Sequence, residues 1–392
     1  MRVLHLISNH KFTGPVDPAL GLVEAQRRLG IEAEFVIGRA ATGPGPLDQV
    51  VADRGLRPLP GFTLPKHRRF LANRRDVRRL VRLLGETPFD VLHTHLDNAH
   101  ETAQRACRFV HSLAGNRGDL KVPLLVRSLY DGAAPADTGR FRRLYGTSLG
   151  GLCVFGQRIA SLCRERFRLP QERVLRLDGA VSSERFQPRT PAPALRERLG
   201  LPEGAIVAGI VARIQRHRRY EILLEAVRRA MEKVPNLTLL VLGRGTYARE
   251  LAHERAADLG IAGRVCLPGY VGGAEYPEAL ACFDFKIFLV PGSDGTCRAV
   301  REAMATGVPL VVSRRGLLPE MVRDGEDGLV VDDEVEPLAA AIQRMAEDSE
   351  LRARLGGNAL RRARENFSAE KQAKATLDAY ERWQELGARR VS

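Results

Sequence analysis

Between Phe285 and Thr306 the chain passes from a short apolar stretch, KIFLVP, through the glycine-bearing loop GSDGT into the helix-period segment AVREAMAT. Free backbone N–H groups gather at a helix N-terminus. Together with the helix dipole they suit a diphosphate, and glycines let it approach closely. Asp294 lies in that loop. Glu302 sits about two turns down the helix, where its carboxylate can accept hydrogen bonds from sugar hydroxyls. Taken alone, such a strand-to-helix turn is more often merely structural. A second constellation follows the apolar run IVAGIV, where Arg213 and Arg218 flank the loop RIQRHRR before the segment YEILLEAVRRA. Two guanidinium forks at the carboxyl end of a strand can neutralise charge building on a departing nucleoside diphosphate. A solvated basic loop would look the same, but both constellations fall in one half of the chain and at one expected sheet edge.

The elements that must position these residues are short β-rich apolar runs alternating with helix-period segments, the pattern of βαβ units and parallel sheets. One set of expected strands comprises residues 3–7, 33–37, 91–93, 124–127 and 151–154. A second comprises 206–211, 237–242, 265–267, 285–289, 309–313 and 328–331. Between them, prolines, charges and small residues from Glu184 to Gly204 interrupt the pattern as a linker would. The expectation is an α/β protein with a doubly wound domain over residues 1–184 and another over 185–366, facing each other across a cleft. Ligands of such sheets collect at the carboxyl ends of the strands. Residues 367–392 carry Ala373, Leu377, Tyr380 and Trp383 at helical spacing, which predicts a terminal helix packing back across the domains.

A chain of 392 residues, 44% hydrophobic and 28% charged, has the material for two buried cores. The net charge of +14, carried mostly by arginine, admits nucleic acid, an anionic membrane or phosphorylated substrates as partners without choosing among them. Nucleic acid is disfavoured because there is no binding motif beyond charge and no aromatic interleaving. Six cysteines without a C-x-x-C pair, several inside apolar runs, read as a reduced, cytoplasmic protein. The opening MRVLHLISN reads as a first strand rather than a leader, and no apolar run reaches membrane-spanning length.

The ordered series R213-x4-R218, LVLGRG, LPGYV, CFDFKIFLVPGSDG, EAMATGVPLVVS and PEMVRDGEDGLVV resembles the retaining glycosyltransferases of family 4, which have the GT-B fold. The resemblance runs through essentially the whole chain. It implies two Rossmann-like domains, a nucleotide-sugar donor (UDP- or GDP-linked) held mainly by the C-terminal one, and no metal or other cofactor. Glu302 matches the second acidic residue of the family's E-x7-E motif, which grips the ribose. Asp294 replaces the first glutamate, which contacts the transferred sugar, and that departure puts the usual donor preference in doubt. The resemblance further implies backbone N–H groups of Gly295 and Thr296 at the distal phosphate, and Arg213 and Arg218 on the diphosphate. Arg219 stands where a glycine is usual. The Tyr270–Val271 backbone would lie beside the base, and Arg298 occupies a position usually apolar. The wording PGSDGTCRA is similar to a branch associated with surface polysaccharide or lipopolysaccharide assembly.

In the N-terminal half, only Gly14 remains of the family's Gly-Gly turn, followed by Pro15, which removes an N–H donor. The run DVLHTH resembles the family segment with a histidine near the cleft, so His95, or His93, is an acceptor-side candidate. Tyr130, or Ser128, takes the place of a histidine that contacts the donor sugar, and Asp131 could partner an acceptor hydroxyl or simply form a turn. Residues 65–84, PKHRRFLANRRDVRRLVRLL, place Phe70, Val77, Leu80, Val81 and Leu84 on one helical face opposite a dense set of arginines. Such a helix can rest on an anionic membrane, at the inner face of the cytoplasmic membrane here, or cover its own sheet. The expected acceptor is a cell-envelope glycan, lipid-linked sugar or lipopolysaccharide core. The alternatives are a UDP-sugar epimerase of the same fold and a non-catalytic basic protein that binds nucleotide or membrane.

Overall fold

A computed structural model describes residues 1–12, 14–40, 43, 45–114, 121–146, 149–290 and 297–388. The chain divides into two compact units, one of residues 1–180 and 369–392, the other of residues 181–368. The first boundary lies at Ala180/Val181 rather than after Glu184, and the terminal segment joins the first unit from Ala369 rather than Phe367.

Unit 1 contains β1 (Arg2–Ile7), α1 (Val16–Arg28), β2 (Glu32–Ile37), α2 (Pro46–Asp53), α3 (Phe70–Glu86), β3 (Val91–Thr94), α4 (Asp97–Ala114), β4 (Leu124–Leu129), α5 (Gly139–Tyr145), β5 (Gly151–Val154), α6 (Gln157–Phe167) and β6 (Val174–Arg176). Its six strands form one parallel sheet in the order β2-β1-β3-β4-β5-β6. The edge strand β6 was not expected: it is three residues long and only partly buried, so it lacks the apolar run that marks the others.

Unit 2 contains α7 (Pro193–Arg198), β7 (Ile206–Val211), α8 (Tyr220–Lys233), β8 (Leu237–Leu242), α9 (Arg255–Asp258), β9 (Val265–Gly269), α10 (Glu275–Ala281), β10 (Phe285–Phe288), α11 (Arg298–Ala305), β11 (Leu310–Ser313), α12 (Leu318–Met321), β12 (Gly328–Val331), α13 (Val335–Glu347) and α14 (Ser349–Asn366). Its parallel sheet runs β12-β11-β10-β7-β8-β9. Every residue of β8, LTLLVL, is buried, as befits a parallel strand covered on both faces. The stretch expected to be a linker holds α7, because Leu195, Leu199 and Leu201 are buried.

The terminal helix α15 (Ala369–Ala388) packs within unit 1 on α1, β4 and β5. Ala373, Thr376, Tyr380 and Trp383 are its buried stripe, and the Trp383 indole N–H donates to the Glu172 carbonyl at 2.6 Å.

In both sheets the strand order reverses once, between β1 and β3 in unit 1 and between β7 and β10 in unit 2. The carboxyl ends of strands at such a reversal are where open α/β sheets hold ligands.

Candidate functional site

The chain leaving β7 and the chain leaving β8 lie backbone against backbone. A Cβ on Gly243 would stand 1.9 Å from the Ala212 carbonyl oxygen, and one on Gly245 1.9 Å from that of Ile214. The LVLGRG motif therefore has glycines where side chains cannot fit. Ile214 N–H donates to the Arg244 carbonyl at 3.2 Å, and Gly243 N–H to that of Gly269 at 2.8 Å. Three successive strand ends are thus fastened together, and the Arg213 loop is held at their rim. Arg219, at the position expected to be glycine, adopts φ 62° at the start of α8. Its guanidinium is held by Asp333, with Nε 3.4 Å from Oδ2 and Nη2 3.3 Å from the backbone carbonyl. That anchorage offsets the steric cost of a left-handed arginine.

Arg213 is exposed, and Arg218 is half-buried beside it. Arg218 Nη1 donates to the Val290 carbonyl at 2.6 Å, tying the β7 loop to the end of β10 across the reversal. Burial and the neighbouring Arg213 charge both push the Arg218 guanidinium below its ordinary range, burial acting more strongly. Cys297, the residue that caps α11 with φ 50°, acts on Arg218 in the opposite sense. Arg218 is therefore close to both Arg213 and the start of α11.

On α11, Glu302 is buried and oriented from two sides. Its Oε2 accepts from the Tyr276 hydroxyl at 2.8 Å, and its Oε1 lies 3.3 Å from Arg298 Nε. Burial and the Glu302 charge raise the Tyr276 phenol well above its usual range, so it stays protonated and donates. Tyr276 and Lys286 were not foreseen. Tyr276 reaches Glu302 from α10, twenty-six residues away in sequence. Lys286 is wholly buried in β10, with Nζ donating to the Ala299 carbonyl in the first turn of α11 at 2.5 Å. Tyr270 is 68% exposed, and its ring carries the Arg244 guanidinium 5.1 Å from its centre; Val271 follows it, partly exposed. Residues 291–296, and with them Asp294, Gly295 and Thr296, lie outside the described residues.

Unit 1 places its candidates differently. Gly14 sits in the turn into α1, and Asp131 is exposed beyond β4. His95 and Tyr130 are both buried within unit 1, in a polar chain that no motif announces. The partners assign a single set of tautomers. His5 Nε2 donates to Gln26 Oε1 at 2.8 Å, so the neutral ring has only Nδ1 to accept, and it does so from His95 Nε2 at 2.9 Å. His95 Nδ1 then accepts from the Tyr130 hydroxyl at 2.8 Å. In the other direction Gln26 Nε2 donates to Tyr380 at 3.4 Å, Tyr380 donates to His93 Nδ1, and His93 Nε2 donates to Ser128 Oγ at 2.7 Å. Burial holds His93 and His95 well below the ordinary histidine range and pushes His5 down to about 4, which keeps the chain neutral. Among the described residues, His5, His93 and His95 form the one group whose ligand atoms are close enough for a metal ion. Each of the three lone pairs is already committed to a hydrogen bond.

The helix α3 corrects the expected apolar face. Leu80 and Leu84 are buried and Val77 and Val81 partly so, but Phe70 and Leu71 stand 67% and 68% exposed. The inward positions of the first turns are polar. Asn73 accepts from Arg69 N–H and donates to Asn98 and Thr102, while Asp76 accepts from the N–H groups of Thr63 and Leu64, both at 2.9 Å.

These features agree with what the chain is similar to. Residues 192–362 match the model of the glycosyl transferases group 1, and residues 19–146 that of glycosyltransferase family 4. A D-inositol 3-phosphate glycosyltransferase of Stackebrandtia nassauensis is 34% identical over 212 residues, 51% of this chain and 47% of the relative. A GDP-mannose-dependent alpha-(1-6)-phosphatidylinositol monomannoside mannosyltransferase of Mycolicibacterium smegmatis is 32% identical over 197 residues, 48% of this chain and 50% of the relative. The match thus spans about half the length of these curated relatives. The crystal structure of Anabaena HepE in complex with UDP and glucose superposes with a TM-score of 0.74 at 20% identity, over 96% of this chain and 99% of that one. With two parallel six-stranded sheets of this order and both family models matched along its length, the chain belongs to the family 4, group 1 glycosyltransferases of GT-B fold.

Proposed function

We propose that the protein transfers a sugar from a nucleotide-sugar to a hydroxyl acceptor, with retention at the anomeric carbon. The observation that carries this reading is the convergence at the reversal of the unit 2 sheet. Arg218 joins the ends of β7 and β10 there, and Glu302 is held in place on α11 by Tyr276 and Arg298, which in this reading presents its carboxylate to ribose hydroxyls. In this reading Arg213, Arg218 and the start of α11 take the charge of the leaving diphosphate, so no metal is required. The Tyr270–Val271 backbone lies beside the base in the same reading. UDP and GDP are the nucleotides favoured, since one similar structure was solved with UDP and one relative uses GDP-mannose.

The test is a thermal-shift panel of UDP-, GDP- and ADP-sugars, followed by mass spectrometry of acceptor mixtures with and without EDTA. Stabilisation by one nucleotide class and EDTA-resistant transfer are expected. No stabilisation by any of them, or unchanged affinity in Glu302→Ala, would sink the reading.

The acceptor side of the proposal is a glycan or glycolipid of the cell envelope, met at the cytoplasmic face of the membrane. No helix among the described residues is long and apolar enough to cross a membrane. Support comes from α3, whose exposed Phe70 and Leu71 are flanked along the chain by exposed Lys66, Arg68, Arg69, Arg74, Arg75 and Arg78. An exposed apolar pair in a cation-rich stretch matches the headgroup region of an anionic bilayer. Sedimentation with phosphatidylglycerol vesicles should be salt-sensitive, absent with phosphatidylcholine, and lost in the Phe70→Asp/Leu71→Asp double variant. Retention of vesicle binding in that variant would remove α3 from the membrane contact.

A further inference from the structure

Lys286 is a costly side chain to place where it is. It lies on β10, between β11 and β7 in the sheet, and it is completely buried. Its register neighbours on the two adjacent strands are Leu310 and Gly209, neither of which can hydrogen-bond to it through a side chain. A buried ammonium without compensation is strongly unfavourable. The compensation comes from α11: Nζ donates to the Ala299 carbonyl at 2.5 Å, and the Glu302 carboxylate, one turn further on, favours the charged form.

Resting on the donor-site reading above, we infer that Lys286 is a positioning residue for the nucleotide. Its ammonium clamps the first turn of α11 to the sheet from beneath and sets a fixed positive charge behind Glu302, so that carboxylate and helix start are in place before the donor arrives.

Three observations support it. The clamp joins β10 to the helix that both the ribose contact and the phosphate cradle would use. Glu302 is held on its outer side by Tyr276 and Arg298, so Lys286 completes the surroundings of the carboxylate from the sheet side. Burial pushes the Lys286 ammonium down to about 8, against the opposing pull of Glu302, so the clamp loses its charge within an accessible pH range. Among the described residues, the other charged and titratable groups tied to Glu302 are Arg298 on α11, Tyr276 on α10, and Arg185, which acts on Tyr276. The arginines keep their charge across that range, and the Tyr276 phenol is raised out of it.

The sign follows: the protonated form favours the donor, and nucleotide affinity falls as pH rises through 8. Affinity for UDP and for GDP is measured by calorimetry on the full chain between pH 6.5 and 9.5, in wild type, Lys286→Met and Lys286→Arg, so that ionisation of the ligand cancels. Lys286→Met should bind about tenfold more weakly at pH 7 and lose the wild-type decline. Lys286→Arg, which cannot deprotonate, should show no decline up to pH 9.5 whatever its absolute affinity, and it serves if the Met variant does not fold. Wild-type affinity in Lys286→Met, or the wild-type decline persisting in either variant, overturns the inference. Failure of the wild-type chain to bind either nucleotide overturns instead the donor-site reading on which it rests.

Discussion

Arg218 and Glu302 show how unequally single residues announce themselves. Both were visible as types at the right distance from a strand end, because a strand, its loop and the following helix are contiguous and the carboxyl edge follows from the βαβ pattern. Their partners were not. Tyr276 lies on another helix, and the Val290 carbonyl that receives Arg218 carries no side-chain signature. Lys286 was hidden by its surroundings: within KIFLVP a lysine reads as a solvent-facing residue, and only the order of strands shows that β10 is central. At this scale Arg218→Ala should lower kcat/KM for sugar transfer by about 100-fold, as loss of one group that stabilises developing charge does. Initial rates with a saturating acceptor measure it, and a loss below about threefold would remove Arg218 from the chemistry.

Among the elements, the loop after β8 and the helix α3 carry the sharpest consequences. Gly243 faces the Ala212 carbonyl at a distance no Cβ can occupy, so Gly243→Ala must push the β7 and β8 loops apart. The cost is expected to exceed about 2 kcal/mol in urea unfolding, with weakened nucleotide binding beside it. The motif LVLGRG was legible as a motif, but the reason for its glycines lies in the neighbouring strand. In α3 the apolar spacing was read correctly from Val77 onward and incorrectly at Phe70. A helical period gives the angle of each residue but not which face the sheet covers where polar side chains compete. Asp76, accepting two backbone N–H groups, takes the inward position there. Asp76→Ala leaves both donors unpaired and should cost about 1–3 kcal/mol for each buried one, measured by urea unfolding; wild-type stability would show the loop to be solvated instead.

For the molecule as a whole, the chain from Tyr130 to Ser128 gives unit 1 a dependence on pH. The linkage has one sign. Folded His5 titrates at about 4 and His100, buried against Thr94 and the Leu144 carbonyl, at about 3, whereas the unfolded chain takes up protons near 6.5. Between those values the unfolded state binds more protons. Stability is therefore fully present above pH 6.5 and is lost as pH falls towards 4, by up to about 1.4 kcal/mol per unit for each such histidine. The single tryptophan of the chain, Trp383, is buried on α15 within unit 1, so its fluorescence reports this unit. The urea midpoint it reads should drop steadily from pH 7 to pH 5; an unchanged midpoint would mean that the histidines are charged when folded. By itself the sequence determined the two parallel α/β sheets, most of their strands, the terminal helix and the residues at the end of β7 and on α11. All of these follow from hydrophobic period and from loops that join neighbouring elements. Only the tertiary structure decided that His5, His93 and His95 share one face, that Lys286 lies beneath α11, that Glu302 is held by Tyr276 and that Phe70 faces outward. Each of those depends on which distant segments meet, and burial turns an ordinary side chain into a fixed donor, acceptor or charge only once they have met.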